Sequence, residues 1–248
     1  MLSANEIAEV NQAQRTYARL AGILMLGAIL VAIGGGAILS NIAGSGNFAE
    51  TAARIAASER LYRLALSSVL IVTLSSTLLA FALYVTLKPV NSLLAQLGMI
   101  FTLADSFLAL IVRMCSFVRL HLYTSATGAE AGSIPRELLS DLIRTIAGTT
   151  ENIGGIFFGL GSCLFFYLFF TSRYIPRIIS VLGLFASVLW TALYFASLVF
   201  PARHALLQYI CFPPMALAEV VTGFCLMLFA VGKRCRTPAI PASSAVDA

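Results

Sequence analysis

The chain has 248 residues, of which 59% are hydrophobic and only 11% are charged. Since an average soluble domain carries about 25% charged residues, this composition excludes an ordinary water-soluble domain and indicates an integral membrane protein. The formal net charge is +5. The basic residues stand singly at the ends of apolar runs, as beside anionic lipid headgroups, so this charge does not indicate nucleic-acid binding.

Six runs are long and apolar enough to cross a bilayer, which takes about 20 residues in a helix. They cover residues 20–43, 62–87, 93–117, 153–170, 178–200 and 206–231. Backbone polar groups in lipid must be satisfied within the spanning segment, so each run is predicted to be a helix. The predicted fold is all-α, a polytopic transmembrane bundle of six helices over residues 20–236. A cytoplasmic segment at 1–19 and a disordered Pro/Ala/Ser-rich tail at 237–248 flank it.

Two further segments are predicted to be amphipathic helices that lie in the membrane interface. In SIPRELLSDLIRTIAG, residues 133–148, the apolar side chains share one face, the charged and hydroxyl side chains share the other, and Ser133 is placed to cap the helix. NFAETAARIAASER, residues 47–60, has a less pronounced version of the same pattern. These two helices complete the predicted fold.

The short connections LKPVN and SRYIPR carry only positive charge, through Lys88, Arg173 and Arg177. With six spans, both connections lie on the same side of the membrane as the two termini. The positive-inside rule therefore predicts that both termini are cytoplasmic.

Small residues recur every four positions on two of the predicted helices. They are Ala28, Ala32, Gly36, Ser40 and Gly44 on the first, and Gly155, Gly159 and Cys163 on the fourth. Small side chains let helix backbones approach closely in lipid. We expect these faces to pack helices within one bundle; the alternative is a homo-oligomer that associates through them.

Three ionisable residues lie inside the apolar runs. Glu219 and Asp105 each stand near the middle of a run, and Arg113 follows Asp105 by about 12 Å along the same helix. A charge at the centre of a spanning helix costs about 2.5–3.5 kcal/mol. These side chains are therefore predicted to turn toward the interior of the bundle.

The functional interpretation is a polar binding site in the middle of the membrane, formed by Asp105 and Glu219 with Arg113 as a charge partner. Two nearby carboxylates cannot both be charged at low cost, which suits a proton-coupled carrier. Pro213 and Pro214 are predicted to kink the last helix beside Glu219 and to free backbone carbonyls there. The alternative is that the two acids are interhelical hydrogen-bond pins and that Arg113 reaches the headgroups.

Motifs of known enzymes are missing from the sequence. It has no His-Glu-x-x-His, no Gly-x-Ser-x-Gly and no Cys-x-x-Cys, and it has only two histidines. We therefore predict no enzymatic activity, no cofactor and no metal site.

The predicted function is a non-enzymatic membrane protein that packs or interacts with other membrane components. The alternative is a small carrier of protons, ions or a solute.

Three stretches carry a family resemblance: LYVTLKPVNSLLAQLGMIF, NIGGIFFGLGSCLFFYLFFTSRYIPRIISVLG and PPMALAEVVTGFCLMLFAVGK. In their order and spacing they resemble the domain-of-unknown-function 4386 family of prokaryotic multi-pass membrane proteins, over nearly the whole chain from Arg19 to Lys233. The resemblance implies a bacterial or archaeal plasma membrane, a family glutamate at Glu219 and no particular activity. The third helix of that family commonly reads Phe-Arg-Leu-x-Glu. Here FTLAD keeps an acid at Asp105 but has Thr102 in place of the arginine, which weakens any family-wide ion pair at this point.

Overall fold

The computed structural model describes residues 4–125, 135–200 and 204–229. Ser133, the predicted cap, and the tail at 237–248 lie outside the described residues. The described part of the chain contains seven helices: α1 (Ala4–Ala43), α2 (Phe48–Ala57), α3 (Glu59–Leu87), α4 (Ser92–Thr124), α5 (Arg136–Ser172), α6 (Arg177–Val199) and α7 (His204–Phe229).

Six of the seven helices, all except α2, are long and apolar enough to cross a membrane. This confirms the six predicted spans, and most of their ends fall within a few residues of the prediction. The boundary predicted at residue 20 does not coincide with a helix end, because α1 runs through it and buries both Ala18 and Ala21. The chain is therefore an all-α, multi-pass membrane protein.

The six long helices form a closed ring in which α1, α3, α4, α5, α6 and α7 each pack against the next, and α7 packs against α1. Successive spans run in opposite directions, so α1 begins and α7 ends at the same end of the ring. We call this the near end, and we call the opposite end, where α2 lies, the far end. At the near end the buried amide of Gln14 donates to the carbonyl oxygen of Thr86, at 2.8 Å, and to the hydroxyl of Tyr174, at 2.9 Å.

The fourth span begins much earlier than predicted. Residues 136–148 do not form a separate interfacial helix but are the first turns of α5, which has 37 residues and is about 55 Å long. A single glycine, Gly148, interrupts the apolar pattern at a cost of only about 1 kcal/mol. Leu142, Ile146 and Ile153 stay in one helical phase across it. Because this segment continues in line with the span, it cannot lie flat while the rest of α5 crosses the membrane.

The other predicted amphipathic segment does form a separate helix, α2. It begins after Asn47, whose side-chain oxygen accepts a hydrogen bond from the backbone N–H of Glu50 at 2.9 Å. Its apolar residues Ala52 and Ile55 are buried against the far ends of α1, α3 and α4. Its position in the membrane interface stays a prediction.

The two small-residue faces behave differently. On α5, Gly155 lies against the ring of Tyr194 and Gly159 against Thr191, so this face packs within the bundle as expected. On α1, no described atom outside the helix itself lies within 4 Å of where a Cβ on Gly36 would stand, and Ala32 is exposed. The expectation of internal packing is therefore wrong for Ala32 and Gly36, whereas Gly44, which ends the series, lies against Arg54 of α2.

The reason lies in the opposite face of α1, which makes the contacts that close the ring. A Cβ added to Gly22 would stand 2.6 Å from the carbonyl oxygen of Gly223 on α7. A Cβ added to Gly35 would stand 2.8 Å from the hydroxyl of Ser68 on α3. These two glycines, and not the predicted series, bring α1 close to its neighbours.

We predict that Gly22→Ala destabilises the protein and that Gly27→Ala does not. The new methyl group at position 22 would meet the backbone of α7, and overpacking of this kind costs about 1–3 kcal/mol. Nothing described lies within 4 Å of the Cβ position at Gly27 on the same helix. Thermal unfolding in detergent, followed by circular dichroism, measures both. Equal midpoints for the two variants would contradict the α1–α7 contact.

Candidate functional site

Asp105 lies on the face of α4 that is turned into the bundle. Ser106 and Val112 on this side of the helix are buried, whereas Phe107 and Met114 on the other side are exposed. A Cβ added to Gly154 on α5 would stand 3.0 Å from Oδ1 of Asp105. The carboxylate therefore rests against the bare backbone of α5, and the missing side chain at Gly154 leaves the space that it occupies.

Glu219 lies on the inward face of α7. Met215, Ala218 and Thr222, which are its neighbours on this face, are at most 2% exposed. The opposite face carries Leu217 and Leu228, which are 54% and 60% exposed. Glu219 thus points away from the lipid-facing wall, and it lies close enough to Asp105 for the two carboxylates to interact electrostatically.

Two further charged groups act on Asp105, namely Arg113 on its own helix and Glu151 on α5. Arg113 is predicted from the sequence and Glu151 is not, because the fourth apolar run begins at residue 153. The in-phase apolar residues before and after Gly148 were the signal that could have placed Glu151 inside a helix. The described site therefore combines three acids and one base from α4, α5 and α7.

None of these acids forms an ion pair with another described residue. Two surface ion pairs are formed by other side chains, Arg63–Glu59 at 2.7 Å and Arg144–Asp141 at 3.1 Å. Asp105 and Glu219 also accept no hydrogen bond from any described residue. Direct contact between Asp105 and Arg113, which the sequence allowed, is thus not formed.

The carboxylate oxygens are nevertheless not sealed. Asp105 and Glu219 are half-buried, and their oxygens are not among the fully enclosed polar atoms that lack a hydrogen bond. These enclosed atoms, within the described residues, are Arg113 Nε, Asn152 Oδ1, Ser180 Oγ, Trp190 Nε1 and Thr222 Oγ1. The two carboxylates are therefore not fully enclosed by the described residues.

Several of the enclosed, unpaired atoms lie next to the acids. Thr222 follows Glu219 by one helical turn, Asn152 follows Glu151 directly, and Arg113 is itself part of the cluster. A buried polar atom without a partner costs about 1–3 kcal/mol, and native structures contain few of them. Three of the five unpaired atoms thus belong to α4, α5 and α7, and the other two, on Ser180 and Trp190, belong to α6.

Thr102 explains why no second base lies beside Asp105. Its hydroxyl donates to the carbonyl oxygen of Gly98 at 3.0 Å, and a Cβ on Gly161 of α5 would stand only 2.7 Å from it. This position, where the resembled family commonly has an arginine, is packed directly against α5. Arg113 is the cation that acts on Asp105 in this structure.

The two prolines of the candidate site lie within α7, which is helical from His204 to Phe229. Pro213 is exposed and Pro214 is half-buried, and they precede Glu219 by less than two turns. They therefore do not end the helix. The kink predicted at this point stays a prediction.

The arrangement does not resemble a metal centre. Among the described residues, no three His, Cys, Asp or Glu side chains are grouped so that they could hold a metal ion. Carboxylates that are neither paired nor fully enclosed can exchange protons or attract a hydrated or organic cation, which need no fixed coordination shell.

Comparison with known proteins gave one match. A family model described as "Domain of unknown function (DUF4386)" matches residues 20–230. No curated protein and no solved structure matches this chain.

We predict that Gly154→Ala destabilises the protein only while Asp105 keeps its side chain. The new methyl group would stand 3.0 Å from Oδ1 and displace the carboxylate, whereas in an Asp105→Ala background that space is empty. A double-mutant cycle of thermal stabilities should give a coupling of about 0.5–3 kcal/mol. Gly148→Ala, which meets nothing described within 4 Å on the same helix, is the control. Additive effects of Gly154→Ala and Asp105→Ala would show that the two residues are not in contact.

Proposed function

Because the chain belongs to the domain-of-unknown-function 4386 family, whose description assigns no activity, we propose a function from the site itself: a small, non-enzymatic carrier that takes protons or a small cation through the helix ring. Asp105 and Glu219 are the binding groups. The proposal includes a prokaryotic plasma membrane and cytoplasmic termini. No catalytic role is assigned to any residue.

The observation that supports a carrier is that the two half-buried acids are neither fully enclosed nor hydrogen-bonded to any described residue. Acids that act only as packing pins need donors from neighbouring helices, because an unpaired carboxyl in a low-dielectric interior is costly. Asp105 rests against the bare backbone at Gly154, and on its own helix Glu219 has the buried apolar residues Met215 and Ala218 beside it. A proton or a cationic ligand that enters the ring would supply the positive charge or the hydrogen-bond donor that these helices do not offer to the two acids.

The charges favour a cation over an anion. Asp105, Glu151 and Glu219 are three acids, and Arg113 is the one base that acts on Asp105 within the described cluster. In a low-dielectric environment this excess attracts positive charge strongly. Arg113 also prevents the three acids from holding a cation too tightly, and a carrier needs release as well as binding.

Access to the cluster is favoured from the far end. Glu151 is exposed, and it lies on the turns of α5 that lead toward that end. Asp105 and Glu219 are half-buried and lie deeper in the ring. A cation arriving from the far end would therefore meet Glu151 first and the facing pair afterwards.

We predict that Asp105→Asn and Glu219→Gln each reduce ion flux at least about tenfold, because each removes a charged partner of the carried species. The purified protein in liposomes is given a membrane potential or a pH gradient, and an enclosed pH-sensitive dye and labelled sodium report the flux. Glu59→Gln, an exposed acid that pairs with Arg63, is the matched control.

Equal elution profiles and unfolding temperatures must accompany the loss, so that misfolding is separated from a defect in transport. The carrier proposal is wrong if the wild-type protein moves no more protons or sodium than empty liposomes do. It is also wrong if both variants match Glu59→Gln.

A second candidate function, an interaction protein, is favoured by the unused small-residue face of α1. Ala32, Gly36 and Ser40 are exposed on the outside of the bundle. Small residues at this spacing allow another helix to approach closely in lipid, and a second copy of the chain would give a symmetric pair.

We predict for this second candidate that Gly36→Cys, in a background without the five native cysteines, forms disulfide-linked dimers in membranes. Phe185→Cys on α6, whose native side chain is 63% exposed, is the control for chance collisions. Equal cross-linking at the two positions would exclude α1 as a dimer face.

A further inference from the structure

A polar cavity of about 370 Å³ lies at the far end of the ring. Five elements contribute to it: the end of α1 with the loop after it, α2, the start of α3, the end of α4 and the start of α5. Its volume is in the range of sites for small molecules, which is about 300–1,000 Å³. The residues that matter for its chemistry are Tyr62, Arg119, Tyr123, Glu137, Ser140, Asp141 and Arg144.

Arg119 is the half-buried cation of this cavity, and none of the described carboxylates forms an ion pair with it. Its Nε donates to Ser140 Oγ at 3.4 Å and its Nη2 donates to the hydroxyl of Tyr123 at 2.8 Å. The guanidinium also lies over the ring of Tyr123, 5.7 Å from its centre. A guanidinium has five N–H donors, and these contacts use two of them. The remaining donors and the positive charge are available to a ligand.

The hydroxyl groups around Arg119 are also placed to donate. The oxygen of Tyr123 accepts from Arg119 and from Ser140, at 3.4 Å, so its own proton is left for another acceptor. Tyr62 makes no hydrogen bond within the described part of the chain, and its hydroxyl lies within electrostatic range of Arg119. A guanidinium together with two tyrosine hydroxyls forms a set of donors that fits a tetrahedral anion.

The acids of the cavity lie at its rim and not at Arg119. Asp141 pairs with Arg144 at 3.1 Å, and these side chains are 58% and 67% exposed. Glu137 is exposed one turn before Asp141. Neither acid is within ion-pair distance of Arg119. These two acids therefore do not neutralise the positive charge of Arg119, and their carboxylates can accept hydrogen bonds from an amino group of the same ligand.

The position of the same segment along α5 indicates the depth of the cavity. Leu138, Leu142 and Ile146 are 62%, 55% and 47% exposed. The polar side of the segment lines the cavity. About 20 residues of a helix cross the hydrocarbon core, so the first turns of the 37-residue α5 extend beyond it to the level of the lipid headgroups, where phosphate is an abundant anion.

We propose that this cavity binds a phosphate group, with Arg119 as its counter-ion and the hydroxyls of Tyr62 and Tyr123 as hydrogen-bond donors. The phosphate belongs either to a phospholipid headgroup or to a water-soluble phosphate ester. The site involves none of the acids of the carrier proposal, and it stands independently of that function.

The test compares lipid binding to the detergent-purified protein by native mass spectrometry. Phosphatidylethanolamine and phosphatidylglycerol are each compared with a diacylglycerol that has the same acyl chains and no phosphate. Wild-type protein should retain the phospholipids, and Arg119→Gln should retain them at least about tenfold more weakly. Arg63→Gln is the control, because Arg63 is exposed near the same end of the bundle but does not line the cavity.

A second arm identifies the source of the phosphate. Inorganic phosphate and glycerophosphoethanolamine are added while thermal unfolding is followed. A stabilisation that depends on Arg119 indicates a soluble ester, and retention of phospholipid without it indicates the headgroup. Either result supports the site.

Tyr62→Phe is the milder variant, in case Arg119→Gln does not fold. It removes one neutral hydrogen bond and should weaken phosphate binding about threefold or more. The proposal is overturned if Arg119→Gln and Arg63→Gln lose binding equally, or if Tyr62→Phe and Arg119→Gln both bind as the wild type does. It is also overturned if the wild type does not distinguish phospholipid from diacylglycerol and does not respond to soluble phosphate.

Discussion

Moving a charged side chain to the middle of a bilayer costs about 2.5–3.5 kcal/mol, and α4 and α7 each carry an acid near the middle of a span. A helix that exposed such a group to acyl chains would insert poorly. These two helices must therefore turn the faces that carry Asp105 and Glu219 toward the interior of the ring, and this sets the rotation of each about its axis. The lipid-facing walls then consist of what remains, such as Leu217 and Leu228 on α7. The arrangement of the ring therefore follows from the exclusion of these acids from the acyl chains.

Close approach of the helices makes this arrangement possible. Gly154 and Gly155 are neighbours in sequence but face different helices: the first lies against Asp105 of α4, and the second against Tyr194 of α6. α5 is thus bare on two sides, and it can lie between α4 and α6 while leaving room for a carboxylate. Lipid provides no hydrophobic force between helices, so such contacts supply much of the packing energy.

The spans were predictable from the sequence because a bilayer imposes a simple requirement, about 20 apolar residues for each crossing. The inward direction of Asp105 and Glu219 followed from the same solvent argument. Glu151 was not predictable in the same way, because the amphipathic pattern ends at Gly148 and the fourth apolar run begins only at residue 153. The small residues of α1 were predicted to pack internally, although Gly22 and Gly35 make those contacts. Spacing identifies a face that permits close approach, but only the positions of neighbouring helices decide which face is used.

The α1–α7 contact at Gly22 and Gly223 differs from the other contacts between neighbouring spans of the ring, because it connects the first span to the last. All other neighbouring spans follow each other directly along the chain and can associate as synthesis proceeds. The α1–α7 contact can form only after α7 has been synthesised and inserted into the membrane. α7 also brings Glu219, so a truncated or stalled chain would have an open ring and an Asp105 without its opposing acid. Assembly of the bundle and completion of its acidic centre are therefore a single late event in biogenesis.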